Sequence, residues 1–492
     1  MEINYRNKNI NQAGFYAIIL SITVIGYMMY LLFSLDFNGS KDYTDMIYVF
    51  SWLGVTLGIY VVYTWYKLTG SCFSLHTILM LFFFLFNYGQ PLMWALGIHS
   101  PNEIGTTTLY TLGLPTSGDI VYTQALTLIC ILMFHCGAIF CYKPRKRLDI
   151  DNEKIIVSAK KISNAMYYTC LIVCVIVIPI TMFNSIYNLI FAQIHGYSAI
   201  YYSDDKINIV IFNLIDKMFF PCLVGLLIGS NYQKKIRYFV YSVFSVYLMV
   251  NLLSGDRGSW VINLIILIWM SHTFYKRINF KKTVLYTAVA IISLHIVDAI
   301  VSVRNIGVNL ENISKSLIEG ESVITSAIFE MGSSMKPAMV LIKYDWDIWP
   351  YTNSYLNAVL GIVSSKVFTI LGIPFSAISD WFSQEYLGIS YGAGFSIVAE
   401  AVLNFGPLIA PIIMIIIGYI ITSMTFITKN TTVQRSPMKI FFAISTMSIF
   451  VPVVRNHFQW ILKSWFYGVF ILIILMLIVK DYIERKGYSY NK

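Results

Sequence analysis

Apolar runs of membrane-crossing length recur along almost the whole chain. The first, "AGFYAIILSITVIGYMMYLLF" from Ala13 to Phe33, already reaches the roughly 20 apolar residues that a helix needs to cross a bilayer. Reading onward by apolar length gives about twelve spans, near 13–35, 46–66, 72–98, 120–142, 165–190, 207–229, 237–253, 258–275, 283–301, 396–427, 438–453 and 459–479. The residue balance agrees. The chain is 57% hydrophobic and 12% charged, where a soluble domain carries about 25% charged residues. No small-residue cleavage site follows the first run, so it reads as a retained helix and not a signal peptide. The expected fold class is all-α: a polytopic membrane protein forming a single integral membrane domain over 1–492, with no soluble domain, internal repeat or low-complexity tract.

The net charge of +10 does not point to nucleic acid. The lysines and arginines sit in short loops between apolar runs, where they set topology and meet anionic lipid. The loops alternate in sign. "NYRNKN", "KPRKRLDIDNEKIIVSAKK", "QKKIR", "KRINFKK" and the tail "KDYIERKGYSYNK" are basic. "DFNGSKDYTD", the stretch from His99 to Asp119 and "HGYSAIYYSDDK" are not. The positive-inside rule then puts both termini in the cytoplasm. The seven cysteines lie in or beside apolar runs without a CxxC pair. Cys170 and Cys174 share a helix face, which reads as small apolar packing.

Residues 302–395 form a long external loop. Its two moderately apolar stretches, "SVITSAIFEMGSSMKPAMVLI" and "NSYLNAVLGIVSSKVFTILG", are interrupted by lysine, glycine, serine or proline. They fit amphipathic helices on the outer surface, re-entrant segments or a pair of poor spans. The favoured reading is a partly helical external cap, and long loops on rigid scaffolds tend to carry function.

On this topology three arginines stand at the outer mouth of the membrane: Arg257 in "LLSGDRGSW", Arg304 in "VSVRNIG" and Arg455 in "VPVVRNHFQW". External arginine near a span end is uncommon and needs a partner or an anionic ligand. A guanidinium offers a planar fork of donors that matches phosphate oxygens two at a time, and three could clamp a pyrophosphate. The alternative is that they cap helix ends or pair with Asp256, Asp298 and Glu400. His457 could add a donor. Glu400 lies inside an apolar run, where a carboxylate is costly unless paired or functional; it could accept a proton from a sugar hydroxyl or anchor an arginine. Gly392 and Gly394 permit a tight turn or a close backbone approach, and with Asp256 they complete the candidate substrate-binding set. Asp216 and Lys217, inside the sixth span, read as buried structural groups. Asp204 with Asp205, and Asp345 with Asp347, are acidic pairs of the kind that hold hard cations, but solvated loop carboxylates are the commoner explanation. No zinc-type cluster, Walker motif or dinucleotide glycine motif is present, and no metal or cofactor is expected.

Taken together, "LLSGDRGSW", "VRNIG", the long external loop, "YGAGFSIVAEAVLNFG" and "VVRNHFQW" make the chain resemble the Wzy-type O-antigen and capsule repeat-unit polymerases. The match rests mainly on the second half, from about residue 250 to 470. The resemblance implies a GT-C-like, metal-independent glycosyltransferase of the bacterial inner membrane with functional external arginines, a role carried over here to Arg257, Arg304 and Arg455. It implies undecaprenyl-pyrophosphate-linked glycans as substrates, and a chain-length regulator and a flippase as partner proteins. The acceptor hydroxyl needs a base, for which His457 and Glu400 are the candidates. An O-antigen ligase would share the arginines and the loop. A flippase or transporter would be expected to show cations through a central cavity and repeat symmetry, neither of which the sequence offers. A membrane acyltransferase would want a catalytic histidine within a span; His272 and His295 are isolated.

Overall fold

A computed structural model describes residues 2–34, 41–106, 114–142, 152–195, 200, 207, 209–254, 259–279, 281, 323–344, 346–389, 393–428 and 431–490. All regular elements among them are helices. The first four are α1 (Glu2–Ser34), α2 (Thr44–Thr69), α3 (Leu75–Ala95) and α4 (Ser117–Cys141). Next come α5 (Asn152–His195), the pair α6 (Val210–Asp216) and α7 (Phe219–Gly229), α8 (Lys234–Leu253) and α9 (Ser259–Met270). Four short helices follow: α10 (Val323–Met331), α11 (Lys336–Tyr344), α12 (Ser354–Leu360) and α13 (Lys366–Leu371). The chain closes with α14 (Ile397–Thr425), α15 (Pro437–Phe450), α16 (Phe458–Trp465) and α17 (Ile471–Tyr490).

Among the described residues ten helical segments are long and apolar enough to cross a membrane. They correspond to ten of the twelve expected spans. Of the other two, 258–275 is a shorter apolar helix, Trp260–Tyr275, and 283–301 lies outside the described residues. The protein is a polytopic helical membrane protein.

Local chemistry sets the helix starts. Ser74 and Ser396 accept the backbone N–H groups of Thr77 and Ala399 at the heads of α3 and α14, as N-caps do. Thr116 and Asp119 form a reciprocal capping box at the head of α4, which starts that helix three residues before the apolar run. Helix α5 is longer than its apolar run. At 44 residues it extends about 66 Å, roughly twice the hydrocarbon thickness. Part of the basic segment read as a loop is therefore helical. Its extension runs beside that of α17, where Lys161 meets Glu484 at 3.5 Å.

The chain divides into two compact units. The first comprises Met1–Arg147, Thr325–Phe426 and Phe450–Leu462. Its centre is the packing of α4 on α14. A Cβ on Gly137 would lie 2.1 Å from the Ile415 carbonyl oxygen, and one on Gly418 would lie 2.2 Å from that of Phe134. Only glycine lets the two backbones come this close, the small-residue device of membrane helix pairs. Helix α14 is kinked where Gly406 takes a positive φ of 74°, just before Pro407. The apolar stretch at 323–344 is helical with a tight turn at Gly332–Met335. That turn packs on α3, and α11 packs on α4 and α14.

The second unit comprises Leu148–Ile324, Ile427–Ile449 and Lys463–Lys492. In it α5 packs along α6 and α7. Thr181 donates to Asp216 at 2.6 Å, a structural partner for that carboxylate. Cys222 lies against Cys170 and Cys174. All three are buried free thiols, in keeping with the packing role read from the sequence. His272 accepts the backbone N–H of Ile278 at 3.1 Å.

Candidate functional site

Arg455 stands at the end of the tight turn Val451–Val454 that stops α15. Its backbone N–H bonds to the Pro452 carbonyl at 3.1 Å. The preceding carbonyl, Val454, accepts from the side chain of Asn87 at 2.8 Å, so α3 pins the backbone that carries the arginine. The side chain is exposed. Its guanidinium lies 5.7 Å from the centroid of the Phe86 ring, within cation–π range. Among the described residues Arg455 makes no ion pair.

Glu400 is the opposite case. It is 0% exposed, and both carboxylate oxygens are occupied. Oε1 accepts from the Ser354 hydroxyl at 2.7 Å, and Oε2 accepts from the backbone N–H of Phe458 at 2.6 Å. Phe458 is the first residue of α16, so among the described residues the partners of Glu400 are a serine hydroxyl and a helix N-terminus. A carboxylate there meets orphan N–H groups and the positive end of the helix dipole. Asn404, one turn on from Glu400, donates to Ser354 Oγ at 2.8 Å and accepts from its backbone N–H at 2.7 Å. Sequence reading missed Ser354 and Asn404. The one local signal was an asparagine four residues after a buried glutamate.

His457 is 9% exposed, and burial pulls its imidazole down to about 4. It is neutral at neutral pH and only weakly basic. Gly394 adopts a positive φ of 71°, and a Cβ there would meet nothing within 4 Å. Its constraint is the left-handed backbone of the turn leading into α14, beside the bond from Ala393 N–H to Ser383 Oγ at 3.0 Å. Arg257, Asp256, Arg304 and Gly392 lie outside the described residues, as do Asp204, Asp205, His295, Asp298 and Asp345. Asp347 is described, exposed in a turn.

The structure thus brings Arg455, His457 and the Glu400 network to one end of the first unit. A further feature of that end was not singled out in the sequence. Asn87, Gln90 and Trp94 follow one another at helical spacing on α3 and are 1%, 1% and 0% exposed. Asn87 Oδ1, Gln90 Oε1 and Trp94 Nε1 have no hydrogen-bond partner among the described residues.

No curated protein and no solved structure matches the chain. A family model does: that of the O-antigen polysaccharide polymerase Wzy, over residues 13–486. Because that match runs nearly end to end along a polytopic helical scaffold, the chain belongs to the O-antigen polysaccharide polymerase Wzy family.

Proposed function

We propose that the protein polymerises undecaprenyl-pyrophosphate-linked repeat units at the outer face of the membrane, with Arg455, Arg257 and Arg304 holding the pyrophosphate. In this reading the acceptor sugar hydroxyl attacks the anomeric carbon of the donor glycan. The bond from that carbon to the pyrophosphate oxygen breaks, and the lipid pyrophosphate leaves with the electron pair. Charge gathers on the leaving group, so fixed cations aimed at it lower the barrier more than protonation does. The observation that carries the reading is Arg455: an exposed guanidinium on a braced turn, without an ion pair among the described residues.

The two groups that the sequence offered as base take other parts in this proposal. Glu400 already accepts two hydrogen bonds and anchors α16. His457 is a weaker base than a reaction near neutral pH calls for. Glu400 serves to hold the arginine's loop, and the acceptor proton passes to solvent. The charge alternation of the loops supports a topology with Arg455 outside and both termini in the cytoplasm.

The test is the surface glycan profile of cells carrying Arg455→Ala, Arg257→Ala or Arg304→Ala at normal protein level. Each is expected to give single repeat units with little long-chain polymer. Wild-type chain lengths in all three variants would overturn the catalytic reading. Loss of all surface product would favour a flippase instead.

A further inference from the structure

We infer that the buried polar strip of α3, Asn87–Gln90–Trp94, is a glycan-binding subsite that recognises sugar hydroxyls of the lipid-linked repeat unit beside Arg455. This rests on the polymerase reading above and names where the sugar, as distinct from the pyrophosphate, is held.

Three facts support it. The first is placement. Residues 87, 90 and 94 lie within about 60° of one another around the helix and span about 10 Å along it. This is the length of one to two sugar rings. The second is hydrogen bonding. Buried polar atoms in folded proteins are paired in roughly nine cases of ten, and inside a membrane an unpaired one costs several kcal/mol. Here one helix face presents two amide oxygens and an indole N–H, all buried and all without a partner among the described residues. Gln90 makes no side-chain hydrogen bond to any described residue. A set of acceptors and a donor left open in a row suits a ligand whose hydroxyls both donate and accept. The third is connection. Asn87 spends its amide N–H on the Val454 carbonyl, and the neighbouring Phe86 ring lies under the Arg455 guanidinium. The strip therefore begins where the arginine loop is braced. On its other flank, Gly89 packs on Gly332 of the external segment. A Cβ on Gly89 would lie 2.6 Å from the Ile328 carbonyl oxygen and 3.0 Å from Gly332 Cα.

Gln124 on α4, whose Oε1 is likewise unpaired among the described residues, still donates to Ser51 Oγ at 2.9 Å and to the Ile47 carbonyl at 3.3 Å, tying α4 to α2; Gln90 makes no such bond to a described residue.

The experiment uses the full-length protein, purified with its lipids, and lipid-linked repeat units as probe. Gln90→Met removes an open polar group and nearly conserves volume; Trp94→Phe removes the indole N–H together with part of the buried ring, which carries a packing cost of its own. Replacing an unpaired buried polar group by an apolar one is neutral or stabilising for the fold. The expected result is an unchanged or higher thermal midpoint for Gln90→Met and, in both variants as folded protein, a several-fold to about tenfold rise in KM for the lipid-linked unit, the loss of one or two neutral hydrogen bonds. An unchanged KM in both variants, at any midpoint, overturns the proposal: the atoms are then idle or served by water. Failure of both variants to accumulate in folded form also counts against it, because the groups would then serve packing. Arg455→Ala, assayed alongside, separates the two readings. Normal turnover there with a raised KM in Gln90→Met would end the catalytic account of the arginine and leave the subsite standing.

Discussion

The two ends of α3 carry polar side chains of opposite character. At its first turn His76 Nε2 bonds to His135 Nδ1 at 3.1 Å, and His135 Nε2 bonds to Thr64 Oγ1 at 2.8 Å. The ring of Trp65 covers His76 at 4.0 Å. Both histidines are buried, and the chain of bonds ties α2, α3 and α4 together. Of the three side chains in this chain of bonds, only His76 has an atom, Nδ1, without a partner among the described residues. Close by, Gly137 and Gly418 let α4 and α14 touch through their backbones. This end is closed by protein on protein. At the other end, Asn87, Gln90 and Trp94 have polar atoms without a partner among the described residues, and Arg455 is exposed. Buried polarity alone therefore does not mark a site; the difference lies in whether the protein itself completes the hydrogen bonds.

The comparison predicts that changes at the closed end cost stability, and that changes at the open end cost chain length. Glu400 tests the boundary most severely, because it sits at the open end yet is fully bonded. Glu400→Ala removes two hydrogen bonds to a charged group, with an expected loss of about 3 kcal/mol and low accumulation in the membrane. Glu400→Gln keeps an acceptor for the Phe458 N–H and should retain most of the stability and long-chain product. Loss of long chains in a well-folded Glu400→Gln protein would return the carboxylate to the chemistry. Next in size is Gly418→Ala, which forces a methyl against the Phe134 carbonyl and should cost roughly 1–3 kcal/mol. The unfolding midpoint in detergent reads it, and glycan length per folded molecule should not change. His135→Leu breaks the bonds to His76 and Thr64 and should cost about 1 kcal/mol, again with normal chain lengths. Short chains from a stable His135→Leu protein would break the comparison.

A further effect is pH-dependent. His457 is neutral in the folded state down to about 4, whereas an unfolded histidine titrates near 6.5. Between those values unfolding takes up a proton, so its contribution is fully present above about pH 6.5 and is lost as the pH falls toward 4. Wild-type protein should lose more stability than His457→Gln when the midpoint is compared at pH 7.5 and pH 5. Equal losses would show that the ring is not held neutral by burial.

Much of the scaffold could be read from the residues because apolar length is a strong signal. The expected run at 120–142 became α4, moved a few residues by the Thr116–Asp119 capping box. The helical extension of α5 escaped notice because its residues are polar and its support is another polar extension, on α17. At the site, Arg455 stood out because a lone arginine beside a span end is rare. The role of Glu400 did not, because its partners are a backbone N–H 58 residues away and a serine 46 residues away at the head of α12. Gln90 and Trp94 sit in "FNYGQPLMWA" and pass for ordinary members of an apolar helix. The clue available was an asparagine and a glutamine three apart within a span, since polar residues inside a membrane are costly and tend to be functional.

The central claim is that the Arg455 guanidinium stabilises the departing pyrophosphate. Its most direct test is the turnover of purified Arg455→Ala protein at saturating lipid-linked repeat unit. The account predicts a fall of about 100-fold or more in kcat at a normal unfolding midpoint, with Arg455→Lys recovering only part of it. Wild-type kcat in the folded alanine variant would contradict the account.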